Sequence, residues 1–202
     1  MTAHNVCLHL EVDALEAANA ILSALYGWRG GLAARTSRVP GIGSPQMTVG
    51  LISGGINTNV VPDRMTFRLD RRMVPEENPA EVEAESRAVI ARAATLHPDA
   101  KVDVRRILLT EPLTPTEGGA KVTEALCRHA SRIMGEPVAP SGAPLYTDAR
   151  HYAKAGVPIV LYGAGAHTIE EANAHRADER LPLADLYKAT EVIALTLAEP
   201  MG

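Results

Sequence analysis

Apolar residues fall into step early in the chain. Leu15, Ala18, Ile21, Leu22 and Leu25 share one face of a helix predicted over 14–26. Asp13 stands where its carboxylate can accept hydrogen bonds from the open amides of the first turn. Ahead of it, residues 5–10 alternate loosely, as a short strand does. Gly30-Gly31 and Pro40-Gly41-Ile42-Gly43 mark a long turn region. Met47–Ser53 is apolar and β-rich, Gly54-Gly55 turns it, and Asn59–Leu69 alternates as a strand, with Pro62 marking a bulge or an edge position. Asn78-Pro79 opens a second helix, with Glu81 and Glu83 near its positive end, and Pro98 stops it. Val102, Val104 and Ile107–Leu109 give a strand over 101–109. The order strand, helix, strand, strand, helix, strand is that of the split βαβ, ferredoxin-like α+β fold, with two helices on one face of a four-stranded sheet.

Glu111–Pro115 reads as a linker. Beyond it the pattern predicts a helix over 118–134, a turn at Gly135, a loop over 139–144 and a short helix near 147–155. A strand over 157–162, a loop to about 181 and a last helix over 183–199 complete it. This part is α/β in pattern but has too few strands for a sheet covered on both faces. Two domains follow, 1–111 and 112–202, without internal repeats.

Composition narrows the function classes. With 46% hydrophobic but only 3% aromatic residues, the core must rest on Ala, Leu, Val and Ile. A net charge of −4 provides no basic stripe for nucleic acid. Arg68, Arg71 and Arg72 beside Asp70 are the one tight basic cluster, which suits a strand edge or a small-anion site. Two distant cysteines, Cys7 and Cys127, give no disulfide framework and suit a reducing compartment. No apolar run reaches the roughly 18 residues of a membrane helix, and the first residues lack a signal-peptide pattern. The expectation is a cytoplasmic protein without nucleic-acid or membrane partners.

Compact catalytic motifs are missing: there is no HExxH, no CxxC and no GxSxG. His97 falls at a helix C-terminus, where a cation suits the dipole. His9 lies in the first strand, and His129 and His151 lie on helices without an acid at matching spacing. Cys127 sits among Val122, Leu126 and Ala130 on an amphipathic helix, a core position.

Two longer patterns say more. One is Gly54-Gly55-Ile-Asn-Thr-Asn-Val-Val-Pro-Asp63 followed by Leu69-Asp70-Arg71-Arg72. The other is Tyr146-Thr-Asp-Ala-Arg150, then Gly156-Val-Pro-Ile-Val-Leu-Tyr-Gly163-Ala-Gly165, then Ala174-His175-Arg-Ala-Asp178-Glu179. In this order, over almost the whole chain, they resemble the M20 family of zinc amidohydrolases. That family includes acetylornithine deacetylases, succinyl-diaminopimelate desuccinylases, aminoacylases and carboxypeptidase G-like enzymes.

The resemblance implies that residues 1–111 are a lid that forms a homodimer and that 112–202 are the C-terminal part of a catalytic domain. His4, nine residues before Asp13, matches the lid histidine that polarises the scissile carbonyl in the partner's site, although Leu8 and Glu11 replace the Pro and Gly often found between. Asn59 and Arg72 match the pair that holds substrate carboxylate or carbonyl oxygens. A planar guanidinium suits a carboxylate, and an Asn amide donates without changing protonation state. Read without the resemblance, Asn59 is a turn residue and Arg72 a surface partner of Asp70. Arg71 alternates to the other face of the strand. His175 matches the terminal zinc ligand. Gly163, Ala164 and Gly165 match the loop whose amides line the substrate pocket, and Thr147 and Asp148 match a structural step beside it. His167 has no counterpart.

The resemblance also implies a deficit. The remaining ligands of the family's two-zinc site, and the glutamate that activates water, belong to an N-terminal half that is not in this sequence. A single histidine cannot hold a catalytic zinc, which takes about three protein ligands. The chain is thus expected to be silent alone as part of a hydrolase of N-acyl amino acids or small peptides. Two other readings stay open: a non-enzymatic dimerisation or carboxylate-binding module, and one half of a split enzyme.

Overall fold

The computed structural model describes residues 12–116, 118–165, 169–174 and 176–199. The chain forms two compact units, Met1–Pro112 and Leu113–Gly202.

In the first unit, helix α1 (Ala14–Leu32) begins as its sequence dictates: the Asp13 carboxylate accepts from Leu15 N at 2.8 Å and Glu16 N at 3.2 Å. It does not stop near Tyr26, and Gly30-Gly31 lie inside it instead of in a turn. Each glycine costs about 1 kcal/mol relative to alanine in a helix. Continuing the stripe buries Leu32 completely and packs Trp28 against the core, and burial of one such side chain is worth about 1.5–3 kcal/mol. Packing therefore overrides propensity. Leu25 and Ile21 join that core as the spacing requires, Leu22 is half-buried, and Leu15 at the helix start is exposed.

Strands β1 (Gln46–Gly54) and β2 (Met65–Arg72) form an antiparallel hairpin. β2 alternates cleanly, with Met65, Phe67, Leu69 and Arg71 toward the helices and Thr66, Arg68, Asp70 and Arg72 away. It begins six residues later than the pattern of Asn59–Leu69 suggests. Pro62, which has no amide to give a ladder, belongs to the ten-residue connection between the strands. The bulge sits in the other strand, where the register shifts at Gly50 between Val49 and Leu51. Helix α2 (Pro79–Ala94) has Asn78 as its cap and Pro79 in its first turn, and it ends before Pro98. Ile21, Leu25 and Leu32 of α1 meet Met47, Val89, Ile90 and Ala93 in one core, with Phe67 and Leu69 alongside.

Among the described residues the sheet has two strands, where the pattern suggests four. The expected strand over 5–10 lies outside the described residues. Residues 101–109 pair with no described strand. In a ferredoxin-like order that segment would pair with the first strand, so no described neighbour is left to bond it. Side chains hold it to α2 instead: Arg87 Nη1 donates to the Val104 carbonyl at 2.9 Å, and Arg106 reaches Glu83 at 2.9 Å.

The second unit is built on α3 (Gly119–Met134) against α6 (Leu183–Ala198), with Leu126, Ala130 and Val192 at the contact. Gly135 closes α3 with φ 81°, a left-handed cap that suits glycine. Two short helices, α4 (Ala149–Lys154) and α5 (Ile169–Ala172), lie between them, the second in a stretch that reads as loop in the sequence. The expected strand over 157–162 forms no ladder with described residues, although Val160 and Tyr162 still pack on the α3–α6 core. α6 carries a second apolar stripe, Leu183, Leu186, Tyr187, Ile193 and Leu197, which is exposed.

Candidate functional site

The arginines of β2 separate by face, as pleating requires. Arg71 points into the helix layer and is nearly buried, its side chain 7% exposed. It meets Glu77 at 2.5 Å, donates to the Arg72 carbonyl and stands over the Trp28 ring at 5.5 Å. Glu77 also accepts from Val74 N at 3.1 Å, and Arg35 lies 3.6 Å from it. Arg35 continues the network to Glu85 through both guanidinium ends, one at 2.8 Å, while Trp28 Nε1 donates to Glu85 at 2.8 Å. The Arg35 hydrogen bonds, aided by the Trp28 donor and opposed by partial burial, hold the Glu85 carboxyl down at about 2. The sequence carries a signal for this cluster: Glu85 shares the stripe of α2 with Val82 and Val89, and a charge there needs a partner.

Arg72 is on the open face with its side chain 59% exposed, and its one recorded partner is Asp70 at 3.3 Å. That contact is the surface pair open to it without the family resemblance. Asn59 is exposed in the loop that joins the strands. The loop is fastened at its return arm, where Ala14 N donates to the Pro62 carbonyl at 3.0 Å. At its outgoing foot Gly54 leaves no room for a side chain, since a Cβ there would lie 2.5 Å from the Arg64 carbonyl oxygen. Asn59 lies in the connecting loop, six residues before β2 begins, and Arg72 is the last residue of β2. A groove of about 320 Å³ lies beside the start of β1, lined among others by Arg29, Ser44, Gln46 and Thr48, and includes neither residue.

In the second unit, Gly163, Ala164 and Gly165 lie in a segment without helix or strand, Ala164 half-buried and both glycines exposed. A Cβ at Gly163 or Gly165 would meet nothing within 4 Å. Just before them, the Tyr162 hydroxyl is buried without a partner among the described residues, and desolvation raises its pKa. Thr147 and Asp148 are braced by Arg150. Its guanidinium donates to the Thr147 carbonyl at 2.7 Å and to the Tyr146 hydroxyl, and lies 3.9 Å from the Tyr146 ring centroid. His129 is buried at the α3–α6 contact with its Nε2 3.3 Å from the Glu199 carboxylate but not hydrogen-bonded to it, and Arg128 grips Glu199 at 2.5 Å, which ties α3 to the end of α6.

His4 and His175 lie outside the described residues. Among the described residues no three His, Cys, Asp or Glu side chains come together as a metal site would require. The described residues therefore do not by themselves fit a catalytic zinc.

Residues 2–97 match the model of the peptidase dimerisation domain of M20 enzymes. The succinyl-diaminopimelate desuccinylase of Magnetococcus marinus is 32% identical over 141 residues, 69% of this chain and 34% of that protein. The first unit thus carries the dimerisation domain of M20 peptidases. An acetylornithine deacetylase of Myxococcus xanthus is 24% identical over 156 residues, 77% of this chain and 38% of its own length. The chain thus spans between a third and two fifths of these curated relatives. Among solved structures, it is similar to the M20 family metallo-carboxypeptidase Sso-CP2 of Sulfolobus solfataricus, with TM-score 0.59 and 19% identity, over 90% of this chain and 44% of that one. The aminopeptidase PepT of Bacillus cereus gives TM-score 0.59 at 22% identity, over 96% and 47%. These likenesses support the α+β fold. No described helix is long and apolar enough to cross a membrane.

Proposed function

We propose that this chain is the lid and C-terminal catalytic portion of a zinc-dependent hydrolase that cleaves the amide bond of N-acyl amino acids or small peptides. The observation that carries the reading is the kinship over 141 residues with a desuccinylase, together with the match of 2–97 to the dimerisation domain. In this reading Arg72 holds a substrate carboxylate on the open face of the hairpin. Asn59, in the loop between the strands, donates its side-chain amide to a substrate oxygen. His4 acts in the partner's site, the amides of Gly163–Gly165 line the pocket, and His175 is one of several ligands to a two-zinc centre.

The chain by itself carries too few ligands to hold that centre and is hydrolytically silent until the rest of a catalytic domain joins it. Homodimerisation runs through the first unit, where β1 pairs among described residues only with β2 and Leu51 and Ile52 are 60% and 55% exposed. A metal-free carboxylate-binding module is the second reading, favoured by the exposure of Arg72 and its single contact to Asp70.

The test is zinc content by elemental analysis of the purified chain, with amine release from N-acetyl amino acids measured alongside. Substoichiometric zinc and no release agree with the proposal. Stoichiometric zinc with turnover would overturn it.

A further inference from the structure

We propose that the first turn of α1 positions Asn59: the Ala14 amide, by donating to the Pro62 carbonyl, fixes the loop over 55–64 that carries it. The inference rests on the reading of Asn59 as a substrate contact, but the anchor can be measured without it.

The loop has ten residues, and Gly55 through Val60 are all exposed. Its internal hydrogen bonds are local: Asn57 Oδ1 accepts from Thr58 N at 2.8 Å, and Val60 N donates to the Asn57 carbonyl at 3.3 Å. An exposed loop held only by such bonds keeps many conformations, and ordering it on substrate binding would cost affinity. One recorded backbone bond ties it to the helix layer, Ala14 N to the Pro62 carbonyl at 3.0 Å. The donor comes from helix geometry. The first four amides of a helix have no partner within it, Asp13 satisfies Leu15 and Glu16, and Ala14 is left to bond outward. Three residues after Asn59, the proline carbonyl receives it.

The site allows a discriminating experiment. Ala14 is the first helical residue, where proline is well tolerated, and Asp13 before it is extended at φ −78°, ψ 99°, as a residue preceding proline prefers. Ala14→Pro removes the donor with little harm to the helix. Ala14→Gly keeps the donor and weakens the helix. A residue that only starts the helix ranks glycine as the more damaging change. An anchor ranks proline as the more damaging to the loop.

Hydrogen exchange of the loop amides is measured in the full chain for both variants. The net worth of one hydrogen bond sets the expected rise for Ala14→Pro at roughly two- to tenfold over residues 57–61, with α1 and the β1–β2 ladder unchanged. Ala14→Gly should leave the loop at the wild-type rate. Equal exchange in wild type and Ala14→Pro, or faster loop exchange in Ala14→Gly than in Ala14→Pro, would overturn the anchor. Titration of the same proteins with N-acetylglycine, followed on the Asn59 side-chain amide, reads the functional half. A shift that weakens by the same factor only in Ala14→Pro supports positioning for substrate. An amide that does not respond in any protein overturns Asn59 as a contact, while the exchange data still decide the anchor.

Discussion

Replacing Glu85 with glutamine removes one charge and almost no volume from the network of Trp28, Arg35 and Glu85, which makes it a clean probe of that network. The carboxyl is held at about 2 against 4.5 in an unfolded chain, chiefly by Arg35 and then by Trp28. A depressed carboxyl contributes stability that is fully present above the unfolded value and lost as pH falls toward the folded one. If solvent played no part, the difference would amount to at most roughly 3 kcal/mol. Arg35 and Glu85 keep 43% and 34% of their side chains exposed, so screening reduces this to about 1–2 kcal/mol. The amide oxygen of the substituted glutamine can still accept from Trp28, so the loss belongs to the ion pair. Trp28 is the single tryptophan of the chain and touches Glu85 itself, so its fluorescence during urea unfolding reports on this unit alone. We expect Glu85→Gln to be about 1–2 kcal/mol less stable than wild type at pH 7. The gap should shrink between pH 4.5 and about 2 and close near the lower value. A gap that is absent at neutral pH, or the same at neutral pH as at the folded-state value of about 2, would refute the assignment.

Other perturbations test the rest of the structure. Leu25→Ala removes a fully buried side chain at the α1–α2 contact and should cost about 2–5 kcal/mol in the same urea assay. Gly54→Ala would put a methyl group 2.5 Å from the Arg64 carbonyl and should cost about 1–3 kcal/mol, whereas Gly50→Ala, with open space around it, should cost less than about 1 kcal/mol. Tyr162→Phe removes a buried hydroxyl that has no partner among the described residues; thermal melts by circular dichroism should show the second unit unchanged or stabilised by up to about 1 kcal/mol. Ile193→Lys with Leu197→Lys places charge on the exposed stripe of α6. Sedimentation should then show less association beyond the dimer, with helix content unchanged.

The sequence alone determined whatever depends on neighbours along the chain. Asp13 and Asn78 cap their helices because their carboxylate and amide oxygens need only the amides two and three residues on. Gly135 ends α3 because a left-handed residue there needs no distant contact. The alternation of β2 was legible for the same reason, and it separated Arg71 from Arg72 before any contact was known. The family, too, was legible, since its motifs are stretches of contiguous residues. Tertiary structure decided the rest. It carried α1 through two glycines because Leu32 and Trp28 had a core to enter, and it put the bulge at Gly50 instead of Pro62. Strand pairing at 101–109 and 157–162 depends on a neighbour that local pattern cannot supply, and among described residues neither segment has one. The placement of Asn59 in the connecting loop and of Arg72 at the far end of β2 was likewise invisible in the motif: thirteen positions of sequence fix the order of two residues, but only the pairing of β1 with β2 decides which of them lies in the ladder.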